Sequence, residues 1–286
     1  MALKPADFTA TAINWEPKPD NIRKLAKDLN LGLDSFVFID DSPHEREAMR
    51  RLCPDVLVPE MPSDPAERPL WLRRLTATWL LRLTAEDESR AALYAVERKA
   101  RDAKAGAASV EAYLAGLEQR LVLSFVSEKT LARAAQMHQR TNQFNMTTLR
   151  LTEPDIAGLT KDKGGGVAVL GRVMDKFGDH GIVIVATVAI RDDEAVIRTL
   201  LMSCRVIGRE VERAFMGELL RELAGRGVRR ISAVYIPTPK NAMVRDFYRS
   251  CGFAQTGAGE GGTTWRFLID TNDLPVSPHV TTSWEA

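Results

Sequence analysis

The chain of 286 residues is poor in the side chains that build metal centres and disulfide frameworks, with three cysteines and four histidines. Cys53, Cys204 and Cys251 are odd in number and match no zinc or disulfide spacing, which predicts a reducing, cytoplasmic setting. Charge of one sign is also missing. The 39 lysines and arginines face 38 aspartates and glutamates, so bulk electrostatics announces neither a nucleic-acid partner nor a membrane-surface helix. No signal-like apolar segment follows Met1, and no run approaches the roughly 20 apolar residues of a membrane span. No internal repeat is visible. What the chain does have is 45% hydrophobic residues, enough for two ordinary domains with real cores.

Residues 19–29 carry apolar side chains three and four apart behind an acidic entry, which predicts a helix stopped by Gly32. Phe36-Val37-Phe38-Ile39 then runs apolar into Asp40 and Asp41, the pattern of a buried parallel strand with carboxylates at its C-terminal edge. A helix over 43–52 and a strand over 56–59 follow, too little for a complete domain. After a proline-rich stretch, 70–83 and 86–117 have helical periodicity and read as a connector. From Leu121 the pattern predicts a strand (121–126), two helices (130–139 and 153–159) and three strands (167–173, 181–190, 195–201). A helix (208–225), a strand (230–236), a helix (242–250) and a strand (264–269) complete it. The expected fold class is α/β, in four parts: 1–66, a connector 67–118, a mixed β/α domain 119–272 and a polar tail 273–286.

Cys204-Arg205-Val206-Ile207-Gly208-Arg209-Glu210 falls where a strand gives way to a helix, a place where free backbone N–H groups can bind phosphate oxygens. By itself this is equally an ordinary turn. The Arg-x-x-Gly stretch resembles the pyrophosphate loop of the GNAT acyltransferase superfamily. Asn241-Ala242, Phe247-Tyr248 and Cys251-Gly252-Phe253 resemble that family's later segment. The resemblance implies a phosphopantetheine thioester, on coenzyme A or an acyl carrier protein, held by Arg205, Gly208, Arg209, Asn241 and Tyr248. Tyr248 reads either as a general acid near the leaving thiol or as core packing.

Over nearly the whole chain, Asn14-Trp15-Glu16-Pro17-Lys18, the 34–41 segment, Thr141-Asn142-Gln143-Phe144-Asn145 and Met202-Ser203-Cys204-Arg205 resemble the FkbH-like proteins of polyketide pathways. Those join a HAD-type phosphatase domain to a GNAT-like domain and load a glyceryl group on an acyl carrier protein. The resemblance implies that Lys18 steadies a phosphoryl group and that Asp40 and Asp41 hold magnesium. No D-x-D-x-T nucleophile segment precedes Lys18, so the expectation is a partial, vestigial HAD piece. This piece would have no phosphatase activity by itself and at most weak magnesium binding. An unfinished sheet there predicts pairing with a second copy or with a separate HAD partner.

The expected chemistry is thioester exchange. Cys204, activated by Arg205 and the following helix, accepts the group from a small acyl donor and passes it to the carrier's thiol. His180 acts as general base with Asp179 orienting it or capping the turn, and backbone N–H groups of the Gly181 strand receive the oxyanion. Arg140, Thr141, Asn142, Gln143 and Asn145 grip the substrate. Each has a plainer alternative: Cys204 as a small buried hydrophobe, His180 bonded to backbone, and 138–145 as a hydrogen-bonded loop. Rival functions are a coenzyme A-dependent N-acetyltransferase and a non-catalytic carrier-binding subunit.

Overall fold

The computed structural model of the chain describes residues 4, 8–29, 31–79, 96, 100, 103, 106–161, 165–259, 261–269 and 274–285. Two compact units result, Met1–Tyr94 and Ala95–Ala286, dividing inside the expected connector.

In the first unit, α1 (Lys18–Asp28) starts at a proline-containing turn, with Asp20 near its N-terminus and Lys27 near its C-terminus, where each charge complements the helix dipole. α2 (Pro43–Leu52) is capped by Ser42, whose side chain accepts from the N–H of Glu45 at 3.4 Å. Met49 and Cys53 are sealed under these helices with Val56. The two expected strands are corrected to a single parallel bridge, Val37 to Leu57. Ile39 is 39% and Leu57 49% exposed, so the apolar run lacks the second buried face that a longer parallel strand needs. α3 (Arg68–Arg74) is shorter than expected. Most of the predicted 86–117 helix lies outside the described residues, with α4 (Val110–Ala115) at its described end.

The second unit is a mixed α/β fold on one nine-stranded sheet. Its strands are β1 (Gln119–Phe125), β2 (Phe144–Asn145), β3 (Gly166–Asp175), β4 (Gly178–Arg191), β5 (Glu194–Met202), β6 (Arg230–Tyr235), β7 (Ala254–Gly259), β8 (Gly262–Leu268) and β9 (Val280–Trp284). The spatial order is β7-β8-β6-β5-β4-β3-β1-β9, with β2 paired to β5. β5 and β6 are parallel, as are β1 and β9, while the other pairs are antiparallel. Among the described residues no helix is long and apolar enough to cross a membrane.

β4 from Val183 to Val188 and β5 from Thr199 to Met202 are buried on both faces, while the earlier part of β5 alternates buried and exposed residues. One face packs α7 (Val211–Gly225) through Phe215, Leu219 and Leu223. The other packs α5 (Glu128–Arg140) and α6 (Glu153–Lys161) through Ala134, Met137 and Ile156. Fully burying a side chain such as Leu219 or Phe215 contributes about 1.5–3 kcal/mol. Three strands were not foreseen: β2, β7 and β9, the last inside the supposed tail. The expected 208–225 helix starts at Val211, and the 242–250 helix is only a 3-10 turn plus α8 (Phe247–Ser250).

Candidate active site at the end of the central strands

β5 and β6 pair only from Glu194 with Arg230 to Ile197 with Ala233, and then part. The chain's own residues 144–147 enter the opening. Phe144 and Asn145 pair with Met202 and Leu201, and the Met146 N–H donates to the Leu200 carbonyl at 3.1 Å. On the other side the Ile236 N–H donates to the Met146 carbonyl at 2.8 Å. The inner end of the split is therefore bonded on both edges by this chain's backbone. Asn241, wholly buried, fastens it: Nδ2 donates to the carbonyls of Asn145 at 2.8 Å and Ile236 at 2.9 Å, while Oδ1 accepts the Thr238 N–H at 2.7 Å. With these groups engaged, Asn241 is a structural clasp in place of the expected cofactor contact.

Antiparallel pairing of Ile184 with Met202 sets the start of β4 beside the end of β5, so His180 and Cys204 share one end of the sheet. His180 is fully buried. Its Nε2 lies 2.7 Å from Asp175 Oδ2, which also receives Arg209 Nη1 at 3.0 Å; Arg209 Nη1 is 3.3 Å from the same ring nitrogen. Oδ1 of Asp175 accepts the N–H groups of Phe177 at 2.8 Å and Gly178 at 3.2 Å. Burial drives the Asp175 carboxyl upward, but the His180 hydrogen bond and charge, the Phe177 N–H and Arg209 outweigh it and hold the group below the usual carboxylate range. His180 Nδ1 is buried without a partner, a condition that costs about 1–3 kcal/mol for a polar atom.

Asp179 faces elsewhere. It pairs with the Arg172 guanidinium and accepts the Gly181 N–H at 2.8 Å, capping the turn. The Gly181 N–H expected to meet an oxyanion is thereby engaged. The orienting partner that sequence reasoning missed is Asp175. Its signal was available: successive strand residues point to opposite faces, so Asp179 could not share a face with His180, whereas a carboxylate across the hairpin could.

Cys204 is half-buried on the 3-10 turn Cys204–Val206 that leaves β5. The expectation that α7 begins beside it is corrected, because Glu210 at the N-cap and Val211 at the first turn lie beyond it. Arg205 Nε donates to Ser203 Oγ at 3.2 Å, and exposed Gly208 takes φ +75°, open to solvent where a Cβ would sit. Arg209 turns inward to Asp175, its side chain 7% exposed. The start of α7 carries acidic groups. Glu210 accepts from Ser277 Oγ at 2.7 Å, and burial pushes the Glu212 carboxyl up to about 6. Tyr248 is sealed in the core among Phe247 and Phe253, its hydroxyl without a partner and its ionisation driven far upward by burial. That placement fits the packing alternative and removes it from a leaving thiol.

In the 138–145 segment, Asn145 is wholly buried. Its Nδ2 donates to the Thr141 carbonyl at 3.1 Å and its Oδ1 accepts the N–H groups of Thr147 and Thr148 at 3.3 and 2.9 Å. Asn142 Oδ1 accepts from Arg150, as does the Thr141 carbonyl. Arg140 is exposed and Gln143 half-buried. His138, missed as a structural centre, is buried with Nδ1 2.9 Å from the Ala134 carbonyl and Nε2 3.0 Å from Thr199 Oγ1; burial lowers its pKa.

In the first unit, Lys18 Nζ reaches Asp40 Oδ2 at 2.5 Å, and Asp40 Oδ1 accepts the Ser42 N–H at 2.9 Å. Burial raises the Asp40 carboxyl, but Lys18, the Ser42 N–H and Arg46 bring it below its ordinary value. Asp41 is exposed. Both Asp40 oxygens are thus engaged, and among the described residues no group of three or more His, Cys, Asp or Glu could hold a metal.

No family model and no curated protein sequence matches the chain. Among solved structures it is similar to the ribosomal-protein-S18-alanine N-acetyltransferase of Escherichia coli, at 17% identity over 52% of this chain and 94% of that one, TM-score 0.41. It is also similar to the PaiA N-acetyltransferase of Thermoplasma acidophilum in complex with coenzyme A, at 8% identity over 52% and 99%, TM-score 0.42. The N-terminal part of a Bacteroides fragilis protein, containing a phosphatase domain complexed with Mg, matches at 43% identity over 28% of this chain and 22% of that one, TM-score 0.26.

Proposed function

We propose that the second unit is an acyltransferase that carries a small acyl group, of glyceryl type, on Cys204 and hands it to the phosphopantetheine thiol of an acyl carrier protein. The observation that supports this reading is the half-buried Cys204 on the turn leaving β5, at the same end of the sheet as His180. The FkbH-like resemblance supplies the acyl group and the partner. In the first step Cys204 Sγ bonds to the acyl carbon of a thioester donor and the donor's thiol leaves with the cysteine's proton. In the second, the carrier thiol gives its proton to the enzyme and attacks the same carbon, and the bond to Cys204 breaks. His180 is the proton acceptor on this reading. Arg205 and exposed Gly208 remain the phosphate-side contacts, and Arg140 and Gln143 the acyl-side contacts.

The first unit, with its Lys18–Asp40 pair, is proposed as a HAD-like piece that docks a partner without hydrolysing phosphate itself. The resemblance of the 204–210 and 241–253 segments to GNAT acyltransferases supports a second reading, direct transfer from coenzyme A to an amine. The test is intact-protein mass spectrometry after incubation with glyceryl and acetyl thioesters, followed by holo carrier protein. Acyl mass on Cys204 that moves to the carrier, and is lost in Cys204→Ser, is the expected result. Transfer undiminished in Cys204→Ser overturns the covalent step and favours the amine acceptor.

A further inference from the structure

The hairpin joining β3 to β4 gathers a carboxylate, an imidazole and a guanidinium away from solvent around one unmet ring nitrogen. Asp175 receives four donors: two backbone N–H groups on Oδ1, His180 Nε2 and Arg209 Nη1 on Oδ2. A carboxylate so supplied stays ionised, and an ionised carboxylate can only accept. His180 Nε2, 2.7 Å away, is therefore the protonated nitrogen, and in the neutral ring Nδ1 holds the lone pair. An ion pair between Asp175 and Arg209 would tie this loop without a histidine. The imidazole adds an acceptor that nothing in the described residues fills.

We propose that Asp175 is the positioning residue of the site: it fixes the His180 tautomer so that Nδ1 is the atom that accepts the proton of the incoming thiol, with Arg209 keeping Asp175 charged. The thiol's identity rests on the acyl-transfer reading above; the tautomer does not. The S–H proton passes to Nδ1, the thiolate bonds to the acyl carbon, the bond to Cys204 Sγ breaks, and Nδ1 returns the proton to the departing Cys204 thiolate. The imidazolium in between faces Asp175 as counter-charge. Arg209 opposes it, Asp179 acts from the neighbouring turn, and the Tyr113 hydroxyl on α4 lies within the influence of Asp175 and Arg209.

The test uses the whole chain labelled with nitrogen-15, in which only four histidines need assignment. At high pH, wild type is expected to show a pyridine-type Nδ1 and a pyrrole-type Nε2 for His180, identified by its loss in His180→Gln. Asp175→Asn is expected to mix or reverse the two tautomers and to slow acyl transfer from Cys204 to holo carrier on the order of 10²–10⁴-fold, moving the pH profile; Asp175→Glu recovers part of the rate. A protonated Nδ1 in the neutral wild-type ring overturns the inference without any variant, whether or not Cys204 is acylated. Wild-type tautomer and rate in folded Asp175→Asn also overturn it. The stated tautomer without acyl mass on Cys204 overturns the acyl-transfer reading, and with it the thiol named here.

Discussion

Replacing Asn241 by alanine separates a clasp from a cofactor contact. The amide side chain satisfies a fully buried carbonyl at Asn145 and two half-buried partners, the Ile236 carbonyl and the Thr238 N–H. An unmet buried polar group costs about 1–3 kcal/mol, and the two half-buried groups lose less because water reaches them, so Asn241→Ala is expected to lose about 2–4 kcal/mol. In a unit of this size that lowers Tm by roughly 5–15 °C. Thermal unfolding followed by tryptophan fluorescence and circular dichroism reads the loss. Hydrogen exchange at the Met146 and Ile236 amides should quicken at the same time, since the wedge between β5 and β6 is what Asn241 holds. A Tm within about 2 °C of wild type, together with weakened binding of a pantetheine thioester, would refute the assignment.

Other substitutions test separate features. The Glu212 carboxyl is raised to about 6 by burial, with Glu210 adding, from an ordinary 4.5. Folding therefore favours its protonated form, and that contribution is complete below pH 4.5 and lost as pH rises through 6. Glu212→Gln should accordingly match wild type in urea at pH 4 and gain about 2 kcal/mol at pH 8; equal midpoints at both pH values would contradict this. Gly217→Ala places a Cβ against the Pro275 carbonyl, which forces the 274–285 segment off α7 and should cost about 1–3 kcal/mol, read as faster amide exchange in β9. Lys18→Met breaks a pair whose lysine is 44% exposed, so the urea midpoint should shift by less than 1 kcal/mol equivalent.

The long, strongly patterned elements were legible. α2 falls on the predicted residues because Ser42 and Pro43 mark its entry, and β3 to β6 follow from their apolar runs. β2 was not, because a two-residue strand carries no periodicity and is created by tertiary pairing with β5. β9 hid inside a threonine- and serine-bearing stretch, since an edge strand buries little of its length. In the site, the partners of the side chains were not legible. Asn241 and Asn145 looked like ligand amides, and an amide's role depends on which backbone groups surround it. Arg209 looked like a phosphate contact because nothing local reveals a carboxylate at Asp175, 34 positions earlier.

The pairing of β1 with β9 bears on how the protein is made. β1 leaves the ribosome about 155 residues ahead of its outer neighbour β9, so its hydrogen-bonding edge stays unsaturated while the rest of the sheet is made. Such long-separation contacts slow folding and leave a strand open to foreign pairing while they wait. Deleting the β9 residues Val280–Trp284 should therefore reduce yield through aggregation of newborn chains before it affects any chemistry at Cys204.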